Sequence, residues 1–596
     1  MRRKTVISRF ATLLLATLAC LLLALLTPTL LSRRALDEPF SGYSVMASPR
    51  DMHVIVAPLR LSSTPGLVLS RGTLYADGNA AAGTPISRFV LDGPVLHLDA
   101  SGPRAADTSP SDGSYADLGS AIVTGAIAPL LVEQLAAMGY ETLTVRRGTL
   151  YVVASDGSSE TIGDIQAELS GRRKGQVTAR GSFALRGQRI AFDAAVTLPA
   201  DKRAPARWPA KFLLKGDLLE ASFDGHLDVA ADLQLAGSAE LSSPSLRRLA
   251  RWLGVPVPSA EGLNASSIRG QINWARRILA VEDAKVSLDG NEGAGALVLN
   301  MTGERPLIDG TLAFAALDLT PYAEAVRSQS FLFDRQTATW SAFDLSFPLI
   351  RHVDADLRIS APKVALKGYG LGRGAATITV RSGRLLADIA ELELLSGKAS
   401  AQITANTQDL LPRYTLRGKL EGFEAGPAAA ALFGAPVLTG RSTLTLDVQS
   451  AGQTPAELWR RLSGKAALSV ADGGRLAFDA KALRAAARES GRPPGWGTLA
   501  KGQTVVEHMQ ARGLLREGVL TAELAQARAG QLAIAAAGRV DLAERTLDLQ
   551  LFAKANPPAD RPLKTADLVD ADLVSVTGSW QEPLVRGGAG ALGPGR

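Results

Sequence analysis

The chain of 596 residues is too long for one ordinary hydrophobic core, and it predicts several domains or one elongated architecture. Apolar residues make up 46% and charged residues 21%, which excludes a wholly disordered chain. Glycine is frequent (58 residues), whereas the aromatic residues comprise only 16 Phe, 7 Trp and 8 Tyr. This composition favours short strands joined by tight turns over a large compact enzyme core.

The net charge of +7 is concentrated at the N-terminus. Six of the 65 basic residues lie among the first 34 residues, which contain no Asp or Glu, and the remaining 59 almost balance the 58 acidic residues. A nucleic-acid-binding protein needs a basic face to contact phosphates, and such a balance provides none. The charge pattern therefore argues against a nucleic-acid partner.

An apolar run of 22 residues, Phe10–Leu31, lies between these basic residues. At about 1.5 Å per residue, a helix of this length crosses a hydrocarbon core about 30 Å thick. A cleaved signal peptide would have a shorter apolar core and a small-residue cleavage site, which Ser32, Arg33 and Arg34 do not offer. A lipoprotein would use Cys20, but the apolar run continues beyond it. We therefore predict an uncleaved transmembrane anchor at residues 10–31.

Four basic residues precede the predicted anchor and two closely follow it. This excess predicts a cytoplasmic N-terminal stub, residues 1–9, with the bulk of the chain on the far side of the membrane. Cys20 is the single cysteine and lies inside the anchor. The exported part therefore has no disulfide, and it has no thiol for catalysis or metal binding.

One pattern of alternating residues recurs through most of the chain. In GRVDLAERTLDLQL (Gly538 to Leu551), apolar and polar residues alternate on either side of a short polar turn. Strict alternation predicts strands with one apolar and one polar face. The same pattern occurs in STLTLDV, and in ATITVRSGRL, where Ser382-Gly383 predicts a turn between two strands. A loose unit of turn, strand and strand therefore predicts a β meander.

Short helices are predicted between the strands. Ser243–Gly254 and Thr454–Gly464 each combine a Ser or Thr cap, an early Pro and a closing Gly. Ala121–Gly139 predicts a longer helix just before the predicted strand Leu143–Val153. Their amphipathic faces could pack on a sheet end, or the helices could be ordinary connectors.

The sequence lacks the spacing patterns of several common enzyme motifs. The five histidines are each more than 40 residues apart, so the paired spacing of a metal site is absent from the sequence. No GxSxG motif and no P-loop occur. The glycine-rich Gly368–Gly374 opens onto a predicted strand, whereas a phosphate-binding loop opens onto a helix. We predict no enzymatic activity, no catalytic residues, no cofactor and no metal.

Several sequence segments, here called phrases, occur in an order that resembles the AsmA family of Gram-negative envelope proteins. The phrases occupy residues 237–254, 305–325, 340–372, 411–434, 438–476 and 576–588, and they include GSAELSSPSLRRLARWLG, RPLIDGTLAFAALDLTPYAEA and the terminal VTGSWQEPLVRGG. The N-terminal anchor fits the plan of that family as well. The order of the phrases carries the resemblance, since no single phrase is diagnostic.

The resemblance implies a mainly β fold, in which a long curved antiparallel sheet forms a trough-like open groove with short helices, preceded by one N-terminal transmembrane helix. It implies a division into stub (1–9), transmembrane anchor (10–31), N-terminal periplasmic β-rich region (32–345), AsmA-like C-terminal β-rich region (346–588) and flexible tail (589–596). The location that follows is the inner membrane, crossed once, with most of the chain in the periplasm.

The resemblance also implies that the protein handles or transfers phospholipid or another envelope lipid along the apolar β-groove, for outer-membrane homeostasis. Its expected partners are envelope lipid, the inner membrane and components of outer-membrane assembly. The candidate groove-lining residues are the apolar positions of two alternating strands: Leu444, Leu446, Val448, Leu547, Leu549 and Leu551.

Two alternatives remain open. An alternating strand is more often the inner face of an ordinary β-sandwich, with its apolar side packed on protein. In function, the chain could instead be an envelope assembly factor that carries no lipid and affects outer-membrane protein or lipopolysaccharide biogenesis through protein contacts. An apolar strand face that stays open would favour the lipid-binding groove. A face that is covered by protein would favour the sandwich or the assembly factor.

Overall fold

The structure is a computed structural model, and it describes these residues: 45–47, 52–56, 59–60, 67–77, 88–99, 142–153, 159–171, 176–197, 207–228, 234–254, 257, 262–303, 305–322, 333–334, 339–340, 348–366, 371–433, 435–471, 473–488, 502–555, 571–580 and 582–587. This part of the chain is mainly β, and most of its strands belong to one large mixed sheet with a few short helices. The predicted anchor at residues 10–31 and the predicted helix Ala121–Gly139 lie outside the described residues. Within the described residues, none of the helices is long and apolar enough to cross a membrane.

The chain forms two compact units. Unit 1 contains Met1–Val257 and Gly262–Gly310, and unit 2 contains Pro258–Glu261 and Thr311–Arg596. The boundary between residues 345 and 346 that the family resemblance implies stays a prediction.

The strands of unit 1 are β1 (Val45–Ala47), β2 (Met52–Val56), β3 (Leu59–Arg60), β4 (Leu67–Asp77), β5 (Arg88–Asp99), β6 (Thr142–Val153), β7 (Ser159–Gly171), β8 (Gln176–Leu185), β9 (Gln188–Thr197), β10 (Arg207–Gly216), β11 (Glu220–Asp228), β12 (Gln234–Ser243), β13 (Ser266–Ala275), β14 (Ile278–Leu288) and β15 (Asn291–Asn300). Strand β16 (Leu307–Phe314) contains the boundary between the units.

Consecutive strands from β6 to β15 pair antiparallel. The tight turns between them explain this: Arg186 and Gly187, for example, have φ of 49° and 75° and join β8 to β9 in the left-handed conformation that two-residue hairpin turns require. Strands β5 and β6 pair in parallel, so the sheet is mixed and not antiparallel throughout. Parallel pairing needs a long crossover, and residues 100–141 between these strands provide the length.

Helix α1 (Leu246–Trp252) confirms the predicted helix near residues 243–254. The side chain of Ser245 caps it by accepting a hydrogen bond from the backbone N–H of Arg248, and Gly254 follows its end with a φ of 73°. The helix packs Leu249 and the following Leu253 onto Leu218 and Leu219 at the turn between β10 and β11.

The strands of unit 2 are β17 (Leu317–Asp318), β18 (Phe333–Asp334), β19 (Thr339–Trp340), β20 (Asp354–Ala361), β21 (Val364–Ala365), β22 (Leu371–Arg381), β23 (Arg384–Leu394), β24 (Gly397–Asn406), β25 (Arg413–Glu424), β26 (Leu438–Thr439), β27 (Arg441–Ala451), β28 (Ser463–Val470), β29 (Gly474–Leu476), β30 (Thr504–Val506), β31 (His508–Arg516), β32 (Val519–Ala529), β33 (Leu532–Asp541), β34 (Thr546–Ala555), β35 (Asp572–Ser579) and β36 (Leu584–Gly587). Its helices are α2 (Ala425–Phe433), α3 (Pro455–Arg460) and α4 (Ala480–Arg488), with 3-10 turns at Thr320–Tyr322 and Pro348–Arg351.

The main strands of unit 2 form one antiparallel meander from β20 through β22–β25, β27, β28 and β31–β36. The predicted turn at Ser382-Gly383 joins β22 to β23, with φ of 52° and 80°. Thr454 caps α3 and Pro455 begins it, as the sequence predicts. The predicted closing residue Gly464 is wrong, because the helix ends at Arg460 and Gly464 lies in β28. Strands β26, β29 and β30 form a separate small sheet.

Candidate functional site

The register of unit 2 places all six predicted groove residues on one face of the sheet. Cross-strand partners lie on the same face, so a chain of partners traces a row across the strands. The row through Leu446 also contains Leu549, and it crosses eleven strands: Ala376, Ile389, Ala401, Gly418, Leu446, Ala466, Gly513, Ala522, Gly538, Leu549 and Val576.

Two parallel rows flank the first and contain the other four candidates. One row consists of Leu357, Ile378, Ala387, Ile403, Leu416, Val448, Gly464, Leu515, Leu520, Val540 and Leu547. The other consists of Ala399, Leu420, Leu444, Leu468, Ala511, Ala525, Ala536, Leu551 and Val574. Every residue of the three rows is apolar or Gly, and we call this surface the apolar face of unit 2.

Five of the six candidates are half-buried, namely Leu444, Leu446, Leu547, Leu549 and Leu551. The sixth, Val448, is buried. Their polar neighbours Thr445, Asp447, Asp548 and Gln550 are exposed on the opposite face. The phase of both strands is therefore the predicted one. Whether lipid contacts these side chains stays a prediction.

Unit 1 carries a similar apolar face whose burial changes along the sheet. One row contains Leu143, Leu169, Ala179, Ala194, Phe212, Phe223, Ala239 and Gly270. Its first four members, on β6–β9, are at most 5% exposed. The last four, on β10–β13, are half-buried. The Phe212 and Phe223 rings stack here with their centroids 5.8 Å apart.

Glycines let neighbouring strands approach closely on this face. Gly225 and Gly237 are direct partners on β11 and β12. A Cβ added to Gly237 would lie 2.5 Å from the carbonyl oxygen of Asp224 and from the Cα of Gly225, which is far inside van der Waals contact. The backbones of β11 and β12 therefore approach each other so closely that a Cβ at Gly237 would not fit without movement of the strands. The sequence contains this information only as frequent Gly in strands.

The opposite, polar face carries charged pairs across neighbouring strands. In unit 1, Arg180 Nε lies 2.9 Å from Asp193 Oδ2, and Lys211 Nζ lies 2.6 Å from Asp224 Oδ2. These pairs border a shallow surface depression of about 760 Å³ across β8–β14. In unit 2, Arg417 Nε lies 3.1 Å from Asp447 Oδ1, beside the candidate groove strand. Opposite charges directly across a sheet reinforce its register.

Two carboxylates on the polar face have shifted pKa values. Arg147 donates hydrogen bonds to both oxygens of Asp92, with Nη2–Oδ2 and Nε–Oδ1 distances of 2.5 and 3.2 Å. These bonds hold the pKa of Asp92 below its usual value and raise the pKa of Arg147. The pKa of Asp164 is lowered by hydrogen bonds from Gln166 and then Arg189. Both carboxylates lie on the surface in ion pairs, which is the arrangement of structural charges.

One edge of the apolar face of unit 2 is covered by the chain itself. Met509, Ala527 and Ile534 continue the face beyond the row of Leu444. They belong to a cluster with Val506 of β30, Leu476 of β29 and Ala480 of α4. A second cluster places Phe478 and Ala482 on Val574, Val576 and Val585, with Leu547, Leu549 and Leu551 at its border. The sequence analysis did not predict α4 or these contacts.

Among the described residues, no group of three or more His, Cys, Asp or Glu side chains is arranged to hold a metal ion. The three rows of the apolar face consist of apolar side chains and Gly, and they provide no side chain for acid–base or nucleophilic chemistry.

No protein-family model, no curated protein and no solved structure matches the chain. The resemblance to the AsmA family consequently stays a proposal.

Proposed function

We propose that this chain is an inner-membrane-anchored periplasmic protein that handles or transfers envelope lipid, with phospholipid as the expected cargo. In this proposal the sheet forms a trough, and acyl chains lie along the apolar faces. Residues 10–31 anchor the protein, and the AsmA-like arrangement of the sequence supports the same assignment. The proposal is a binding and transfer function without catalysis.

The observation that carries the proposal is the uninterrupted apolar composition of the three rows in unit 2. Within these rows every side chain is Ala, Val, Ile or Leu, or the residue is Gly, and those around Leu446 are half-buried. Monomeric proteins rarely leave an apolar patch larger than a few hundred Å² uncovered. A surface of this kind therefore favours a bound apolar partner.

The chemistry of the face favours hydrocarbon over a protein segment. A typical protein interface contains about one hydrogen bond per 100–200 Å². The three rows offer no side-chain donor or acceptor for such bonds. A hydrocarbon chain needs none, and burying each methylene contributes about 0.8 kcal/mol.

The length of the rows favours a path over a single binding pocket. Eleven strands, spaced about 4.8 Å apart, give a path of about 50 Å measured along the sheet. Acyl chains of one leaflet occupy about half of a 30 Å hydrocarbon core. The path is thus about three times as long as one acyl chain, which suits movement in small steps of similar energy.

The test is photo-crosslinking of the full chain in cells, with a photoreactive residue at Leu446 and a matched control at Thr445. The two positions are adjacent on β27, but Leu446 faces the apolar side and Thr445 the polar side. Lipid crosslinked at Leu446 and not at Thr445 is the expected result.

Two other outcomes would contradict the proposal. Crosslinks at Leu446 only to protein would favour the assembly-factor alternative, in which another protein covers the face. Equal lipid labelling at both positions would show that labelling does not depend on the apolar side.

A further inference from the structure

We infer that helix α4 is a movable cover over the C-terminal end of the apolar face of unit 2, and that it controls access of lipid to β34–β36. The inference rests on the proposed function, since it concerns the same face. It follows from where the helix lies, how its first residues are attached, and how its middle is held.

Helix α4 occupies the continuation of the rows that are half-buried at β27. Leu446 leads along its row to Leu549 on β34 and then to Val576 on β35. Val576 is 2% exposed, because Phe478 and Ala482 pack over it and its neighbours. An acyl chain and α4 therefore cannot occupy this end of the face together.

The first residues of the cover are held by hydrogen bonds between their backbone groups and the side chains of Thr504 and Asp479. The hydroxyl of Thr504 on β30 donates to the Phe478 carbonyl at 2.6 Å and accepts from the Ala480 N–H at 2.9 Å. Asp479 Oδ1 accepts hydrogen bonds from the N–H groups of Lys481 and Ala482 at 2.8 and 3.1 Å, which caps the helix. This end of the helix is thus fixed to the small sheet.

Beyond its first turn, the helix is held by a side-chain contact. Arg484 Nε lies 2.7 Å from Asp572 Oδ2 at the start of β35, with side chains 28% and 15% exposed. The contacts described for Ala480 and Ala482 bury little area, because each side chain is a single methyl group. A nine-residue helix is also marginal without tertiary contacts. The ion pair therefore joins the helix beyond its first turn to the start of β35, and its loss should favour opening of the cover.

Thiol labelling tests the position of the cover without lipid. The full chain carries Val576→Cys as the labelled residue and Cys20→Ser to remove the native thiol. The labelling rates of this protein and of its Arg484→Ala derivative are compared. We expect the rate to rise about fivefold, the equivalent of about 1 kcal/mol in the opening equilibrium. Lys481→Ala is the matched control, because Lys481 is an exposed basic residue on the same helix.

The charge-swapped pair Arg484→Asp with Asp572→Arg should restore the slow labelling rate. This variant keeps the test decisive if a single substitution disturbs the local fold. An unchanged rate in Arg484→Ala would show that α4 is a fixed wall, and it would overturn the inference.

The role in lipid access is tested by photo-crosslinking at Leu549, with Gln550 as control, in the presence and absence of Arg484→Ala. We expect the lipid crosslink at Leu549 to increase by a similar factor, while the crosslink at Leu446 stays constant. Lipid at Leu446 without any increase at Leu549 would overturn the cover and leave the proposed function intact. Absence of lipid at Leu446 would overturn the proposed function, and with it this inference.

Discussion

Strands β6–β9 of unit 1 and strands β24, β25, β27 and β28 of unit 2 have the same alternating sequence pattern, but their apolar sides differ in burial. In β6–β9 the apolar side is a closed core, where Leu169 and Phe183 have no exposed surface. In the four strands of unit 2 the apolar side includes Leu420, Leu444 and Leu446, which are half-buried. Alternation therefore specifies that a strand has an apolar face, and it does not specify what covers that face.

The difference in burial suggests that the same alternating pattern serves folding in β6–β9 and ligand binding in unit 2. A closed face contributes to folding, because its side chains leave water permanently. A half-open face contributes less to folding and leaves apolar surface available to a ligand. The predictions below test whether this division is real.

The largest expected effect is the contrast between Phe183→Ala and Leu446→Ala. Truncating a fully buried Phe costs about 3–5 kcal/mol, because it removes contacts and leaves a cavity. At the half-buried Leu446 we expect a smaller loss, about 2 kcal/mol or less, since part of the side chain is already in contact with solvent. Pulse proteolysis of the full chain in urea measures both changes. Equal losses at the two positions would mean that the β27 face is closed.

The next effect concerns the close approach of β11 and β12 at Gly225 and Gly237. Gly237→Ala places a Cβ against the backbone of β11, so we expect a loss of about 1–3 kcal/mol as the strands separate. Gly163→Ala is the control, because a Cβ there would have no neighbour within 4 Å. Urea midpoints of the two variants provide the measurement. Equal tolerance of both substitutions would argue that close strand approach is not required.

A smaller, local effect is expected at the covered end of unit 2. Thr504→Val keeps the shape of the side chain but removes both hydrogen bonds to Phe478 and Ala480. We expect the closed position of α4 to lose about 1–2 kcal/mol. Hydrogen exchange should then become faster at residues 478–482 and remain unchanged in β24, β25, β27 and β28. Faster exchange in both regions would instead indicate a general loss of stability.

The smallest effect is the pH dependence of the ion pair beside the closed core. Because the folded-state pKa of Asp92 lies below its ordinary value, the pair stabilises the fold above about pH 4. This contribution is lost as the pH falls through the lowered folded-state pKa. Asp92→Asn should therefore lower the unfolding midpoint slightly at pH 7 and lower it by less at pH 2. A larger decrease at pH 2 would contradict this direction.

Much of the local structure was predictable from particular residues. The alternation around Leu446 and Leu549 correctly predicts which side chains point to the apolar side, since successive residues of a strand face opposite sides. Ser245 and Thr454 cap helices within the predicted segments, because their hydroxyl groups satisfy free N–H groups of the first turn. Ser382-Gly383 forms the predicted turn.

The covering of the face was not predictable in the same way. Helix α4 is a short, alanine-rich segment, and its contact with β35 includes the ion pair between Arg484 and Asp572, 88 residues apart. The periodicity of a sequence depends on residues that are close along the chain, so it cannot predict which distant residues will pair. The parallel pairing of β5 with β6 was missed for the same reason, since the tight turns elsewhere suggested antiparallel neighbours.

The sequence by itself determined that the chain is mainly β, where many of its strands and turns lie, and which side chains share an apolar side. These properties depend on local backbone geometry and on the two-residue period of a strand. Only the tertiary structure decided that Leu446 and Leu549 belong to one row, that β6–β9 are closed, and that α4 covers Val576. Those outcomes depend on cross-strand register and on packing between distant segments, whose energies arise only once the strands have paired.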